Sequence, residues 1–180
     1  SNESLLVASG GNPASHVVQI VPAQSGDGFT VVETINLRNR GDRPFVGAVT
    51  VGLPANASGL QARYDNNTVP VRRVDGEARI NATLPPNATT RLAVRYDVPT
   101  GAVDKRIAHD ADKVAVVLQG YNVSQVESSP NLAPGDSPIP LLTNENPVSA
   151  GDRISVTLPG QPSGSTGGQS GGSAPSSSAG

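Results

Sequence analysis

Residues 29–37 read Phe29-Thr30-Val31-Val32-Glu33-Thr34-Ile35-Asn36-Leu37. Phe29, Val31, Ile35 and Leu37 take alternate positions, with Thr30, Thr34 and Asn36 between them. Side chains of an extended chain alternate between two faces, so this period marks a strand with one face toward a core. Glu33 is the discord, because it shares the parity of Val31 and Ile35. A carboxylate among apolar neighbours needs a partner or a raised pKa. It reads either as a tuned acid, or as the mark of a bulge at Val31-Val32 or of an ion pair with an arginine near the sheet edge. The bulge or the ion pair is the expected answer, because alternation slips at bulges. His16 shares a face with Val18 and Ile20 and reads as a half-buried, hydrogen-bonded histidine.

The same alternation recurs outward from this stretch. It predicts strands over 45–53, 78–84, 90–98, 112–119 and 153–158, and weaker ones at 4–8, 15–21, 59–64, 69–74 and 121–126. Turn signals separate them: Gly26-Asp27-Gly28, Arg40-Gly41-Asp42, Asp65-Asn66-Asn67, Asp75-Gly76 and Pro85-Pro86-Asn87. The only helical candidate is a turn or two within Val103–Ala108. Residues 127–150 hold five prolines and read as a long loop, with a short edge strand at Ile139–Leu142. Short strands at this spacing suggest an antiparallel sandwich. The chain divides into an N-terminal strand and spacer (1–14), a β-sandwich (15–159) and a tail (160–180).

Composition narrows the function classes. The 180 residues carry 20 Gly and 16 Pro but only 5 aromatics, which argues against a helical bundle. A net charge of −2 removes the electrostatic case for nucleic-acid binding. Without Cys there are no disulfides, thiolate metal sites or Cys nucleophiles, and without Met the usual blue-copper ligand set is incomplete. No stretch is long and apolar enough for a membrane helix. Residues 160–180 contain 14 Gly or Ser out of 21 and no charge, so this segment is expected to be disordered. It reads as a linker to a removed anchor or second domain, as an O-glycosylated stalk, or as a tail ordered by neighbouring subunits.

Residues 16–99 resemble the immunoglobulin-like modules of secreted and cell-surface proteins of bacteria and archaea. The matching stretches are Ile35-Asn36-Leu37-Arg38-Asn39-Arg40-Gly41, then Gly47 through Pro54, then Leu84-Pro85-Pro86-Asn87, followed by Leu92-Ala93-Val94-Arg95-Tyr96-Asp97-Val98-Pro99. The resemblance implies an all-β, antiparallel immunoglobulin-like β-sandwich with a core over 16–99 and an extension over 100–159. It specifies no ligand.

Two signals point to an extracellular chain. The absence of Met makes Ser1 read as a processed end, of a mature secreted protein or of a chain trimmed by design. The acceptor pattern for N-linked sugars occurs at Asn2, Asn56, Asn66, Asn81, Asn87 and Asn122. Random placement would give about two such sites. Asn81 and Asn122 fall on outward strand faces, and the others in turns or at the terminus.

Candidate chemistry is sparse. His109-Asp110-Ala111-Asp112, with Asp104 upstream, reads as a polar turn, as an acid/base pair, or as a calcium site through Asp104, Asp110 and Asp112. Asp65 with Asn67 is a second oxygen-rich possibility for calcium. Lys105-Arg106 is one of two adjacent basic pairs, and Tyr64 and Tyr121 are the aromatic candidates outside the main core faces. Leu5, Leu6 and Val7 lie ahead of the spacer Gly10-Gly11-Asn12-Pro13 and are a candidate donor strand, able to pair at home or with a neighbouring subunit.

The expected function is that of a non-catalytic extracellular structural glycoprotein. It would be a subunit of a cell-surface filament or layer, or a stalked surface module, self-associating by strand addition. The alternative is a carbohydrate- or protein-binding accessory module tethered through a C-terminal anchor. Apart from the calcium alternative, no cofactor is expected.

Overall fold

A computed structural model describes residues 2–23, 28–99 and 101–159. The Gly/Ser-rich stretch 160–180 and the Gly26-Asp27 portion of the first turn lie outside the described residues. The elements in chain order are β1 (Leu6–Ala8), β2 (His16–Pro22), β3 (Phe29–Asn39), β4 (Phe45–Gly52), β5 (Ser58–Tyr64), β6 (Asn67–Val69), β7 (Arg72–Val74) and β8 (Glu77–Leu84). They continue with β9 (Thr89–Val98), β10 (Ala102–Arg106), β11 (Val114–Leu118), β12 (Glu127–Ser128), β13 (Leu132–Pro134), β14 (Leu141–Asn144) and β15 (Arg153–Thr157). Short 3-10 turns cover Glu3–Leu5 and Val123–Gln125.

The fold is all-β, with its sheets packed as a sandwich. The large sheet runs β13-β14-β11-β2-β3-β9-β5-β6, and β1 continues the line of β2 along β3. Two three-stranded sheets, β10-β15-β12 and β4-β8-β7, complete the structure. The core draws on the alternate positions the sequence marks: Val31, Ile35 and Leu37 of β3, Ile80 and Leu84 of β8, Leu92 and Val94 of β9, and Ile154 and Val156 of β15.

The expectations fail at definite places. One ladder is parallel: β11 runs alongside β2, with Val114 opposite His16. A parallel neighbour requires a long crossover, and here the chain crosses through the small sheets before returning. Val103–Ala108 is not helical, because β10 occupies most of it and pairs with β15 from Ala102↔Thr157 to Arg106↔Arg153. The stretch 69–74 is two strands: Pro70, which cannot donate to a ladder, separates β6 on the large sheet from β7 on a small one. Residues 121–126 form a 3-10 turn at Val123–Gln125, and β12 follows. The loop 127–150 holds β12, β13 and β14, and β13 pairs with β14 as an edge hairpin. Pro134 is tolerated there because an edge strand has one free side.

Turn chemistry behaves as read. Tyr64 pairs with Asn67 across Asp65-Asn66, whose φ values of 53° and 67° suit a two-residue hairpin turn. The bulge expected at Val31-Val32 is absent, since β3 keeps register with β2 and with β9 throughout. The register shift lies in β5, between Ser58 and Gln61.

Candidate functional site

An unbulged β3 carries Glu33 inward with its apolar neighbours, and Glu33 is fully buried. Three side chains meet it. Lys105 Nζ, from β10 in a small sheet, forms an ion pair with Glu33 Oε1. His16 Nε2 on β2 donates to the same oxygen at 2.7 Å. Tyr96 on β9 donates its hydroxyl to Glu33 Oε2 at 2.5 Å. His16 and Tyr96 reach Glu33 diagonally, because Val18 and Val94 are its direct cross-strand partners. The carboxylate therefore ties three strands of the large sheet to β10.

Burial alone would raise the Glu33 carboxyl. The Lys105 charge and the His16 hydrogen bond outweigh it and hold the pKa down to about 2. Burial lowers His16, which stays neutral and donates from Nε2. Burial and the Glu33 charge push the Tyr96 phenol well above its usual value, so it too remains a neutral donor. Lys105 is drawn down by desolvation and pulled back by Glu33. The assembly is one cation, one anion and two neutral donors, with no net charge. Glu33, Lys105 and Tyr96 are 0% exposed and His16 is 3% exposed, so the cluster is closed to solutes.

A second contact fastens the N-terminus. Glu3 Oε2 receives His109 Nε2 at 2.8 Å and the Thr50 backbone N–H at 2.7 Å, while Glu3 Oε1 accepts the Thr50 hydroxyl at 3.0 Å. Burial raises the Glu3 carboxyl, but these donors prevail and its pKa lies below the ordinary value. His109 therefore pairs with Glu3 and not with Asp110.

The sequence-derived calcium candidates do not converge. Asp104 sits on β10 and binds Arg153 at 3.1 Å. Asp110 Oδ1 accepts the Ala150 N–H at 2.8 Å. Asp112 lies beyond the inward-facing Ala111 and is exposed. No group of three or more His, Asp or Glu is placed to hold a metal among the described residues. At the other calcium possibility, Asn67 Nδ2 donates to the Asp65 carbonyl at 3.2 Å.

Asn2, Asn56, Asn66, Asn81, Asn87 and Asn122 are all exposed. Of the donor-strand candidates, Leu5 is 42% exposed, while Leu6 and Val7 belong to β1 and pair with Asn39 and Arg38 of the chain's own β3. Tyr121 is buried edge-on to Phe29, with ring centroids 6.1 Å apart. Tyr64 donates to the Thr83 carbonyl. Lys105 was read only as half of the basic pair Lys105-Arg106, although its parity with Val103 and Ile107 marked it as inward-facing.

No protein-family model and no curated protein matches the sequence. Solved structures share the fold. A candidate nutrient-binding protein from Legionella pneumophila superposes with a TM-score of 0.60 at 8% identity, over 87% of this chain and 67% of that one. An M1 zinc metallopeptidase variant from Deinococcus radiodurans, bound to a Tyr-Ser-Ala substrate, superposes at 0.51 and 13% identity over 86% of this chain. The same peptidase variant without that substrate gives 0.51 at 14% identity. The chain spans 42% of the peptidase's length. At these identities the likeness shows an all-β fold, and it is not specifically immunoglobulin-like.

Proposed function

We propose that the chain is a non-catalytic, extracellular β-sandwich glycoprotein, serving as a structural module of the cell surface. The observation that carries this reading is the placement of its acceptor asparagines. All six are exposed, and they spread over the N-terminus, turns and outward strand positions, where sugar adds no bulk to the core. Support for a non-catalytic role comes from the other side of the surface. The Glu33 cluster is sealed and its hydrogen bonds are used internally, and His109 is 4% exposed and engaged by Glu3. A general acid or base must come within hydrogen-bond reach of its substrate.

The immunoglobulin-like character of residues 16–99 belongs to the same proposal. It is favoured by the packing of β2-β3-β9-β5 with β4-β8 around one core. Self-association would proceed by exchange of β1. That strand pairs with β3 over only three residues and is joined to β2 through a segment whose residues 10–13 are exposed, a short hinge of the kind that permits swapping.

An accessory module of a larger protein is the second reading. The observation favouring it is the fold shared with part of a longer peptidase chain. The dispersed Tyr64 and Tyr121 provide no aromatic platform for sugar among the described residues. The deciding measurement is glycopeptide mapping of protein purified from its native cells. Sugar on several of the six asparagines is the expected result, and wholly unmodified peptides would overturn the reading.

A further inference from the structure

A groove of about 510 Å³ opens where β1 runs between the end of β3 and the segment 110–112. Its geometry follows from register. Val7 stands opposite Arg38 on β3, and Ala8 bridges Ala111 in parallel on the other side. Ala8 and Ala111 are buried, at 3% and 2% exposure, so they point into the core. Alternation then sends Val7, Ser9, Asp110 and Asp112 to the opposite face, where they line the groove with Arg38 and Arg40.

Val7 and Ser9 form the floor. Two arginines stand on one bank and two aspartates on the other. Arg38 and the Asp110 segment are two strand spacings apart, about 10 Å between backbones. Among the described residues, Arg38, Arg40 and Asp112 take part in none of the ion pairs formed within the chain. Asp110 uses Oδ1 for the Ala150 N–H, which leaves Oδ2 for a ligand. Opposite charges thus face each other across a gap that neither side closes.

We propose that this groove binds a small zwitterion with a free ammonium and a free carboxylate, a dipeptide or an amino acid. The arginine guanidinium groups match a carboxylate with paired N–H donors. The Asp110 and Asp112 carboxylates accept from the ammonium. Val7 supplies an apolar floor beneath the backbone between the two termini. An extended dipeptide spans about 7 Å, which side chains reaching inward from banks about 10 Å apart can clasp. The volume lies within the ~300–1,000 Å³ of small-molecule sites.

The test titrates the full chain, produced without glycans, with L-alanyl-L-alanine while backbone amide resonances are recorded. Saturable shifts confined to Val7, Ala8, Ser9 and the 110–112 amides are expected. N-acetyl-L-alanyl-L-alanine lacks the ammonium and L-alanyl-L-alanine amide lacks the carboxylate. Each should bind at least about tenfold more weakly, as should the free dipeptide to R38Q or D112N. Both substitutions are at exposed positions, so the remaining resonances should stay in place. The proposal is overturned if these amides do not move, if the blocked peptides bind as well as the free one, or if neither substitution weakens binding. Asn87 also lines the groove, so sugar there would stand in the site and the proposal concerns chains unmodified at Asn87; because the tested protein carries no sugar, a failure leaves the glycoprotein reading untouched.

Discussion

Replacing Lys105 by Met tests whether the sandwich is held by a buried charge pair or only tolerates one. Methionine keeps the length and apolar stem of the side chain. Glu33 remains 0% exposed, with His16 and Tyr96 still donating to it, but the compensating cation is gone. Breaking a buried pair in this way costs about 3–5 kcal/mol. For a domain of this size each kcal/mol lowers the melting temperature by roughly 2–4 °C, so a fall of about 6–20 °C is expected. Glu33→Gln should cost a similar amount, because it strands the Lys105 ammonium. The double variant holds no buried charge. It leaves one of the His16 or Tyr96 donors without a good acceptor, a cost of about 1–3 kcal/mol. It should therefore be far more stable than the sum of the singles implies. Urea unfolding at neutral pH, followed by far-UV circular dichroism, measures all three. A cost for Lys105→Met under about 1 kcal/mol, the range of an exposed pair, would refute the reasoning. So would additive single costs.

The pH dependence has a definite sign. Glu33 is held at about 2 in the fold, against 4.5 ordinarily, so its stabilisation is present above about 4.5 and is lost as pH falls toward 2. His16 is also lowered, so below its ordinary value near 6.5 the unfolded chain takes up a proton that the folded chain refuses, and stability falls. Urea midpoints should therefore decline in two stages, first below about pH 6.5 and then more steeply below about 4.5. Flat midpoints from pH 7 to about 4.5 would contradict the His16 assignment, and flat midpoints from about 4.5 to 3 the Glu33 assignment. In Lys105→Met the Glu33 contribution should reverse, because burial then raises the carboxyl and stability falls as pH rises. Glu3→Gln should loosen the N-terminal turn at a cost of about 1–2 kcal/mol, with faster hydrogen exchange at the Thr50 amide. Deleting residues 1–11 removes Leu6 and Ala8 from the core, and the melting temperature should fall. If chains associate by exchanging β1, the same deletion abolishes that association, which light scattering would show.

Much of the architecture was legible because alternation depends on nothing beyond the strand itself. Val31, Ile80, Val94 and Val156 announce their faces in sequence, and the structure buries each of them. Partner choice was not legible. The parallel alignment of β11 with β2 depends on where a long crossover returns, and residues 114–118 look the same in either direction. The division of 69–74 at Pro70 depended on which sheet each half would join. The exposure of the acceptor asparagines was readable from strand alternation, turn chemistry and, for Asn2, its place at the terminus. The groove was not, because Arg38 and Asp110 are brought together only through β1.

The Glu33 cluster shows where residue-by-residue reading failed and what would have repaired it. Considered singly, Glu33 was an anomaly explained by a bulge at Val31-Val32 or by an arginine near the sheet edge, and Val103–Ala108 was a candidate helical turn. Neither reading joined the two. Keeping parity puts Glu33 between Val31 and Ile35, Lys105 between Val103 and Ile107, and His16 with Val18 and Ile20. A buried carboxylate and a buried ammonium are each costly alone, and pairing is the arrangement that relieves both. Glu33 and Lys105 are a carboxylate and an ammonium on otherwise apolar strand faces, and their mutual need predicts the contact between β3 and β10. That contact in turn settles that residues 102–106 are a strand, since a helical turn would not hold Val103, Lys105 and Ile107 on one face. Two discords in the sequence were therefore one long-range constraint, linking the large sheet to the extension that the resemblance over 16–99 left unexplained.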